Sequence, residues 1–286
     1  MANIEKRRPD VGKVTWAHLR IAPFPQVAIR ILQMANQDNV QLHEFSDLIS
    51  SDPAFASEVL AVANSLLFAP RFPSNSILQA IAVLGISNLQ GICLTVSSRA
   101  YMGRALNLAF TRAIWRHNLA CAFIAEKLAA AGFMDKDVAY TSGVLHDIGR
   151  LALATIRPKE YGALLNKHGG SPESILAAER DQFGVDHCGV GHLLLENWKL
   201  PGEFETVIVD HHSPRRQDRG WSMSELIKVS CKMADTAGFP AFQECQATPY
   251  SDLLDELPVR ERNQFAPELE TLAGTVASRI EALESL

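Results

Sequence analysis

The 286 residues are 47% hydrophobic and 21% charged. That is enough apolar material for one large domain or two small ones, and it excludes a disordered chain. The net charge of −5 comes with no basic stripe or Lys/Arg run that stands out, which argues against nonspecific nucleic-acid binding. No apolar stretch reaches the roughly 20 residues of a membrane span. The polar, basic segment Met1 to Lys13 has no apolar stretch behind it, so it does not read as a secretory signal. Five cysteines (Cys93, Cys121, Cys188, Cys231 and Cys245) occur without a CxxC pair, as expected of reduced thiols packed as small apolar groups in a cytoplasmic protein.

In chain order, Leu42, Phe45, Leu48 and Ile49 stand at helical spacing. Asp52-Pro53 opens the next helix: the aspartate caps free amides, and proline suits the first helical position. Ile77, Ala80, Ile81 and Leu84 form another stripe, closed by Gly85, and Ser87 reads as the start of a helix through Leu89, Ile92, Cys93 and Val96. Ala109 to Ala131 is alanine-rich and free of proline. Asp137 to Leu145 and Asp186 to Trp198 read as shorter helices, with Ser171-Pro172-Glu173 opening another between them. Ser222 to Asp235 and Pro267 to Leu283 are the last long ones, and the polar stretch Thr248 to Asn263 reads as a linker. With no period-2 strands and no hairpin turn, the predicted class is all-α, a multi-helix bundle.

Histidine is unevenly distributed. Residues 17–105 hold two of the nine and residues 106–240 the other seven. His117, His146-Asp147, His187, His192, His211-His212 and Asp235 fall in the second region, and imidazole with carboxylate suits iron, manganese, nickel or zinc. Ligands so far apart in sequence must converge from several helices, as in dimetal bundles. Taken alone, His146-Asp147 reads rather as a helix terminus with Asp147 exposed and His146 hydrogen-bonded, and His211-His212 alone is no more specific. A site exists only if these groups meet in space. Arg215, Arg216 and Arg219 read first as a solvated loop and second as a phosphate grip. Trp198 reads as a core anchor. No GxSxG, Walker or Rossmann pattern is present.

The run Leu145 to Arg150 resembles the signature of the HD superfamily of metal-dependent phosphohydrolases. His117, His146-Asp147 and Asp235 resemble its ligands, and His187 with His211-His212 resembles the second-metal ligands of the HD-GYP phosphodiesterases that open cyclic di-GMP. Further short motifs follow in order: Ile21-Ala22-Pro23-Phe24-Pro25, Ser51-Asp52-Pro53, Ala63-Asn64-Ser65, Ala80 to Gly85, Asp186-His187 with Gly191, Trp198-x-Leu200-Pro201, and His211-His212-Ser213-Pro214. Together they resemble HDOD domains, the HD-related output modules of bacteria, over about residues 17–240.

The resemblance implies an N-terminal tail (1–16), an HDOD domain (17–240) made of a helical lobe (17–105) and an HD-domain-like core (106–240), then a linker and C-terminal helix (241–286). It implies one or two divalent metals (iron, manganese, nickel or zinc) on His117, His146, Asp147, His187, His211, His212 and Asp235, with Asp147 bridging, and phosphate contacts from Arg150 and Arg215. It also implies a signal-transduction role of the response-regulator kind, with a signalling protein or small ligand as partner. Three departures from HD-GYP enzymes point to a non-catalytic module rather than a nucleotide phosphohydrolase. Ala113 stands one turn before His117 where a ligand glutamate is expected, Arg150 replaces a lysine, and Ser213-Pro214-Arg215-Arg216 replaces the glycine-tyrosine-proline run. The charge pattern generates one prediction: titration of the protein with random-sequence DNA at low and moderate salt should show no complex whose affinity falls steeply with salt, because no concentrated positive field exists to release counterions.

Overall fold

The structure is a computed structural model that describes residues 24–35, 40–65, 72–132, 134–214, 220–242, 247–265 and 267–285. Among these it is all-α, as predicted, with short 3-10 turns and no strand. The first helices are α1 (Gln26–Ala35), α2 (Leu42–Ser50), α3 (Pro53–Ala63), α4 (Ile77–Leu84) and α5 (Ile86–Met102). Asp52 accepts from the Ala54 and Phe55 amides at 3.1 Å each and Pro53 fills the first turn, so α3 begins where the Asp-Pro pair predicts. Asn64 ends α3 and holds the backbone of Ser74 through two hydrogen bonds of 2.7 and 3.0 Å. Gly85, at φ 79°, closes α4 and opens α5. Ser87 therefore lies inside α5 and does not start it, because the left-handed glycine already makes the turn.

The long helix α6 (Ala109–Gly132) is the spine. Its alanines Ala120, Ala122, Ala125 and Ala129 are wholly buried, which lets α7 (Lys136–Leu145) and α13 (Met223–Thr236) approach closely. At the crossing, a Cβ on Gly143 would lie 2.3 Å from Ala122 Cα. After α7 come α8 (Ile148–Ile156), α9 (Pro158–His168), α10 (Pro172–Phe183), α11 (His187–Trp198) and the short α12 (Glu205–Asp210). Ser171, Asp186 and Ser222 each cap the following helix through the side chain. The predicted linker Thr248 to Asn263 contains two short helices, α14 (Tyr250–Glu256) and α15 (Val259–Gln264), before α16 (Leu269–Glu284) packs on α6. Leu253 in α14 and Leu257 just beyond it are buried while Leu254 is half-buried and Val259 is exposed, and so few fixed side chains make too faint a period to read in a polar sequence.

Buried side chains from both predicted lobes belong to one continuous cluster. Phe24 stacks on Trp198 with ring centroids 4.6 Å apart, so the start of α1 is anchored on the end of α11. No single helix among the described residues is long and apolar enough to cross a membrane. A bent pair, Ile77–Leu84 with Asn88–Asn107, passes by length and composition only, and its Ile81, Leu84, Leu89 and Leu94 are spent on the core.

The contact that positions the site is α8 against α11. A Cβ on Gly149 would fall 2.0 Å from the His187 carbonyl oxygen and 2.6 Å from the Gly191 nitrogen, both backbone atoms that cannot yield. Gly149→Ala should therefore lower stability by about 1–3 kcal/mol or more. Gly274→Ala, on an open face of α16, should raise it by up to about 1 kcal/mol from helix propensity alone. Urea denaturation of the two variants should show these opposite signs.

Candidate metal centre

His146 and Asp147 sit in the sharp turn between α7 and α8, and the turn is inside the protein. Asp147 is 2% exposed and makes no capping bond, so the reading of an exposed helix terminus fails: α6 and α11 close over it. His187 opens α11, while His211 and His212 follow α12. One ligand atom from each of Asp147, His187, His211 and His212 falls within 4.8 Å of the others. His211 Nε2 lies 3.1 Å and His187 Nε2 3.3 Å from Asp147 Oδ1.

Arg150, one turn into α8, is wholly buried among these groups. Its Nε donates to Asp147 Oδ2 at 2.8 Å, and its Nη2 stands 3.2 Å from His187 Nε2 and 3.3 Å from His212 Nε2. Burial works to raise the Asp147 pKa, but Arg150 first, then His187 and His211, hold it well below the usual carboxylate range. Behind His187 is a second buried carboxylate. Glu179 Oε2 accepts from His187 Nδ1 at 2.6 Å and from the His187 amide at 2.8 Å, while Tyr161 donates to Oε1 at 2.6 Å. Burial and Arg150 oppose a charge on His187, yet Glu179 above all, with Cys188 and Asp147, raises its pKa to about 10. His212 is pushed well below its ordinary value by burial and then by His211.

A second group lies beside the first. His117 Nδ1 is 2.8 Å from the Phe239 carbonyl and 3.2 Å from Asp235 Oδ1, so its Nε2 faces Cys231 Sγ at 3.2 Å. His146 Nδ1 donates to the Gly143 carbonyl at 2.7 Å, which turns Nε2 inward; there Nε2 has no hydrogen-bond partner and stands 3.9 Å from Asp147 Oδ2. One ligand atom from each of His117, His146 and Cys231 lies within 4.8 Å of the others. Burial, outweighing Asp147, lowers the His146 pKa to about 3 and pushes the Cys231 thiol up to about 12. The fold thus holds His/Asp and His/Cys groups that can bind a metal ion.

Of the residues singled out from the sequence, Asp235 touches the outer nitrogen of His117 and does not join the convergent atoms. His192 stands apart, near Glu196 at 3.5 Å and Glu205 at 3.8 Å. Arg215, with Arg216 and Arg219, lies outside the described residues, as do Ile21 to Pro23 and Cys245. Sequence reasoning missed Glu179, Tyr161 and Cys231. Two of these left a trace: Cys231 is one turn before Asp235 on α13, and Glu179 is one turn after buried Ile175 on α10.

A surface cavity lies beside the polar groups but is not lined by them. That cavity, of about 530 Å³, lies between the start of α6, α9 and the segment Gly238–Phe242, and is lined by Phe110, Ala113, Arg116, Asn166, Phe239 and Phe242 among others. Phe239 and Phe242 separate it from the centre: one gives its carbonyl to His117, and the other places its ring 5.8 Å from the Arg150 guanidinium carbon.

The HDOD domain family model matches residues 21–214. The chain belongs to the HDOD family. A similar fold occurs in an HDOD domain protein of unknown function from Geobacter sulfurreducens (20% identity, TM-score 0.69, covering 94% of this chain and 95% of that one). It occurs also in a candidate signal transduction protein from Marinobacter aquaeolei VT8 (20%, 0.68, 94% and 59%). A candidate phosphohydrolase from Shewanella amazonensis SB2B shares it too (19%, 0.70, 96% and 100%). An uncharacterized protein of Treponema pallidum (strain Nichols) is 24% identical over 276 residues, covering 92% of this HDOD chain, which spans 51% of that relative's length.

The two histidines titrate in opposite directions in the metal-free HDOD protein. Below pH 6.5 the unfolded chain protonates His146 while the fold resists until about pH 3, so stability falls as pH falls through that window. Above pH 6.5 the fold keeps the His187 proton that the unfolded chain loses, so stability falls as pH rises toward about 10. Denaturation of chelator-treated protein should give greatest stability near pH 6.5, with His146 and His187 each contributing at most about 1.4 kcal/mol per pH unit to its limb. His211 and His212, also lowered by burial, steepen the acid limb, and His117, raised against burial by Cys231 and Asp235, steepens the alkaline one. His146→Ala should make the acid limb shallower, with His211 and His212 supplying what slope is left.

Proposed function

We propose that this protein is a signal-transduction output module that works by binding, with a signalling protein or small ligand as its partner, and does not turn over a nucleotide. The observation that carries this reading is the occupation of the Asp147 carboxylate. In a phosphohydrolase of this superfamily the aspartate of the His-Asp pair faces metal and substrate. Here Arg150 pairs with it among buried groups, and the cavity beside Phe239 and Phe242 is lined by none of the histidines and not by Asp147. Productive hydrolysis needs metals at fixed spacing and donors aimed at developing charge, which a buried guanidinium on the central carboxylate prevents. Ala113 lines the cavity where the missing glutamate would stand, and offers no charge.

Family membership supports the signalling role, and the Marinobacter protein of similar fold is consistent with it. The retained His117, His146 and Cys231 group favours a second reading in one respect: a divalent ion (iron, manganese, nickel or zinc) fits its donors, so metal binding does not require catalysis. The cavity is the place for a small ligand, with Arg116 and Asn166 as polar contacts on an otherwise apolar wall.

The test loads purified, reduced protein separately with the four metals and measures hydrolysis of cyclic di-GMP and a panel of nucleotides. Turnover should not exceed that of the His146→Ala, Asp147→Ala double variant, and metal-dependent turnover well above that control would overturn the reading.

A further inference from the structure

We infer that the protein holds a single thiolate-bearing metal site, formed by His117, His146 and Cys231, with Asp235 as the carboxylate that orients His117. The site goes beyond the output-module reading and does not rest on it. Three helices supply it: His117 from α6, His146 from the end of α7 and Cys231 from α13. The tautomers are set by the hydrogen bonds behind the rings. Each histidine has its Nδ1 on a backbone carbonyl, Phe239 for His117 and Gly143 for His146, which leaves both Nε2 lone pairs directed inward.

The His146 Nε2 atom is the independent observation. It belongs to a side chain with no exposure and has no hydrogen-bond partner. An unpaired acceptor in a dry core costs about 1–3 kcal/mol, so such an atom needs an occupant. A tetrahedral ion with bonds of about 2.0–2.3 Å keeps its ligand atoms roughly 3.3–3.8 Å apart. The His117 Nε2 to Cys231 Sγ separation is 3.2 Å, and the whole set spans at most 4.8 Å, so small side-chain movements close the shell. On binding, the metal takes the Cys231 sulfur as thiolate and the displaced proton leaves to solvent. Two imidazoles and one thiolate select zinc, iron(II) or cobalt(II) over magnesium or calcium, which prefer oxygen.

The neighbouring group at Asp147, His187, His211 and His212 also has convergent donors, but Arg150 occupies the ion's place among them. An ion held by His187 Nε2, His212 Nε2 and Asp147 would have to stand where Arg150 Nη2 stands, within 3.3 Å of both imidazole nitrogens. The guanidinium is the resident cation there, so the stoichiometry is one.

Cobalt(II) is the probe, because thiolate ligation gives it a near-ultraviolet charge-transfer band that nitrogen and oxygen ligation do not. The full chain is stripped with chelator under reducing conditions and titrated with cobalt. The expected result is one ion per chain with the band present in the wild type. Cys231→Ser should lose the band, Cys93→Ser should keep it, and Asp235→Asn should keep it with affinity weakened about 10–100-fold. His187→Ala should still bind a cobalt with the band. Wild-type protein that binds no cobalt, binds it without the band, or binds two ions overturns the inference before any variant is made, as does a band that survives Cys231→Ser. Hydrolytic activity does not enter these readouts, so this site and the output-module reading fail separately.

Discussion

The Asp147 carboxylate, taken out of water between α7 and α8, is the constraint around which the second half of the chain is arranged. An isolated carboxylate in a dry interior carries a desolvation penalty of several kcal/mol, and only close, well-aimed partners offset it. Arg150 reaches it from the next turn of the same helix, His187 from the head of α11 and His211 from the end of α12. Each partner in turn requires its own support. His187 is held by Glu179, Glu179 by Tyr161, and His211 by the carbonyl of Ile208 at 3.0 Å. The buried network therefore fixes the relative placement of α8, α10, α11 and α12 more specifically than apolar packing alone, since a hydrogen bond tolerates less displacement than a methyl contact.

Glycine makes that network geometrically accessible. The α8 backbone approaches α11 so closely at Gly149 and Gly191 that no side chain fits between them, and the approach brings the His187 ring down to Asp147. The alanine face of α6 does the same for α7, setting His146 beside His117 with ring centroids 5.6 Å apart.

The helical class was legible because the start signals are local chemistry: Asp52-Pro53, Ser171-Pro172, Asp186 and Ser222 all cap as their side chains suggest. The His and Asp residues could be gathered from the order of short motifs. Their pairing could not. Whether Arg150 points at Asp147 or at solvent depends on the helices that fold over the turn, and nothing within five residues of it encodes that. Cys231 was read as one more buried thiol, because its neighbour in space, His117, is 114 residues away. Asp235 was legible as a partner of His117, but its side of the ring was not, since that is decided by where the Phe239 carbonyl falls. The short helices α14 and α15 were hidden by polar composition, being held by one or two buried leucines rather than by a continuous stripe.

The segment Gly238–Phe242 is a wall shared by two compartments. Phe239 lines the cavity and, through its carbonyl, also fixes the tautomer of His117; Phe242 lines the cavity and covers Arg150. Two compartments with a common wall are thermodynamically linked only to the extent that filling one displaces that wall. If filling the polar interior displaces that wall and changes the cavity's affinity for a guest by some factor, the guest must change the interior's affinity by the same factor. The stiffness of the five-residue partition would set the size of that factor: a rigid wall keeps the two compartments independent, and a yielding one couples them.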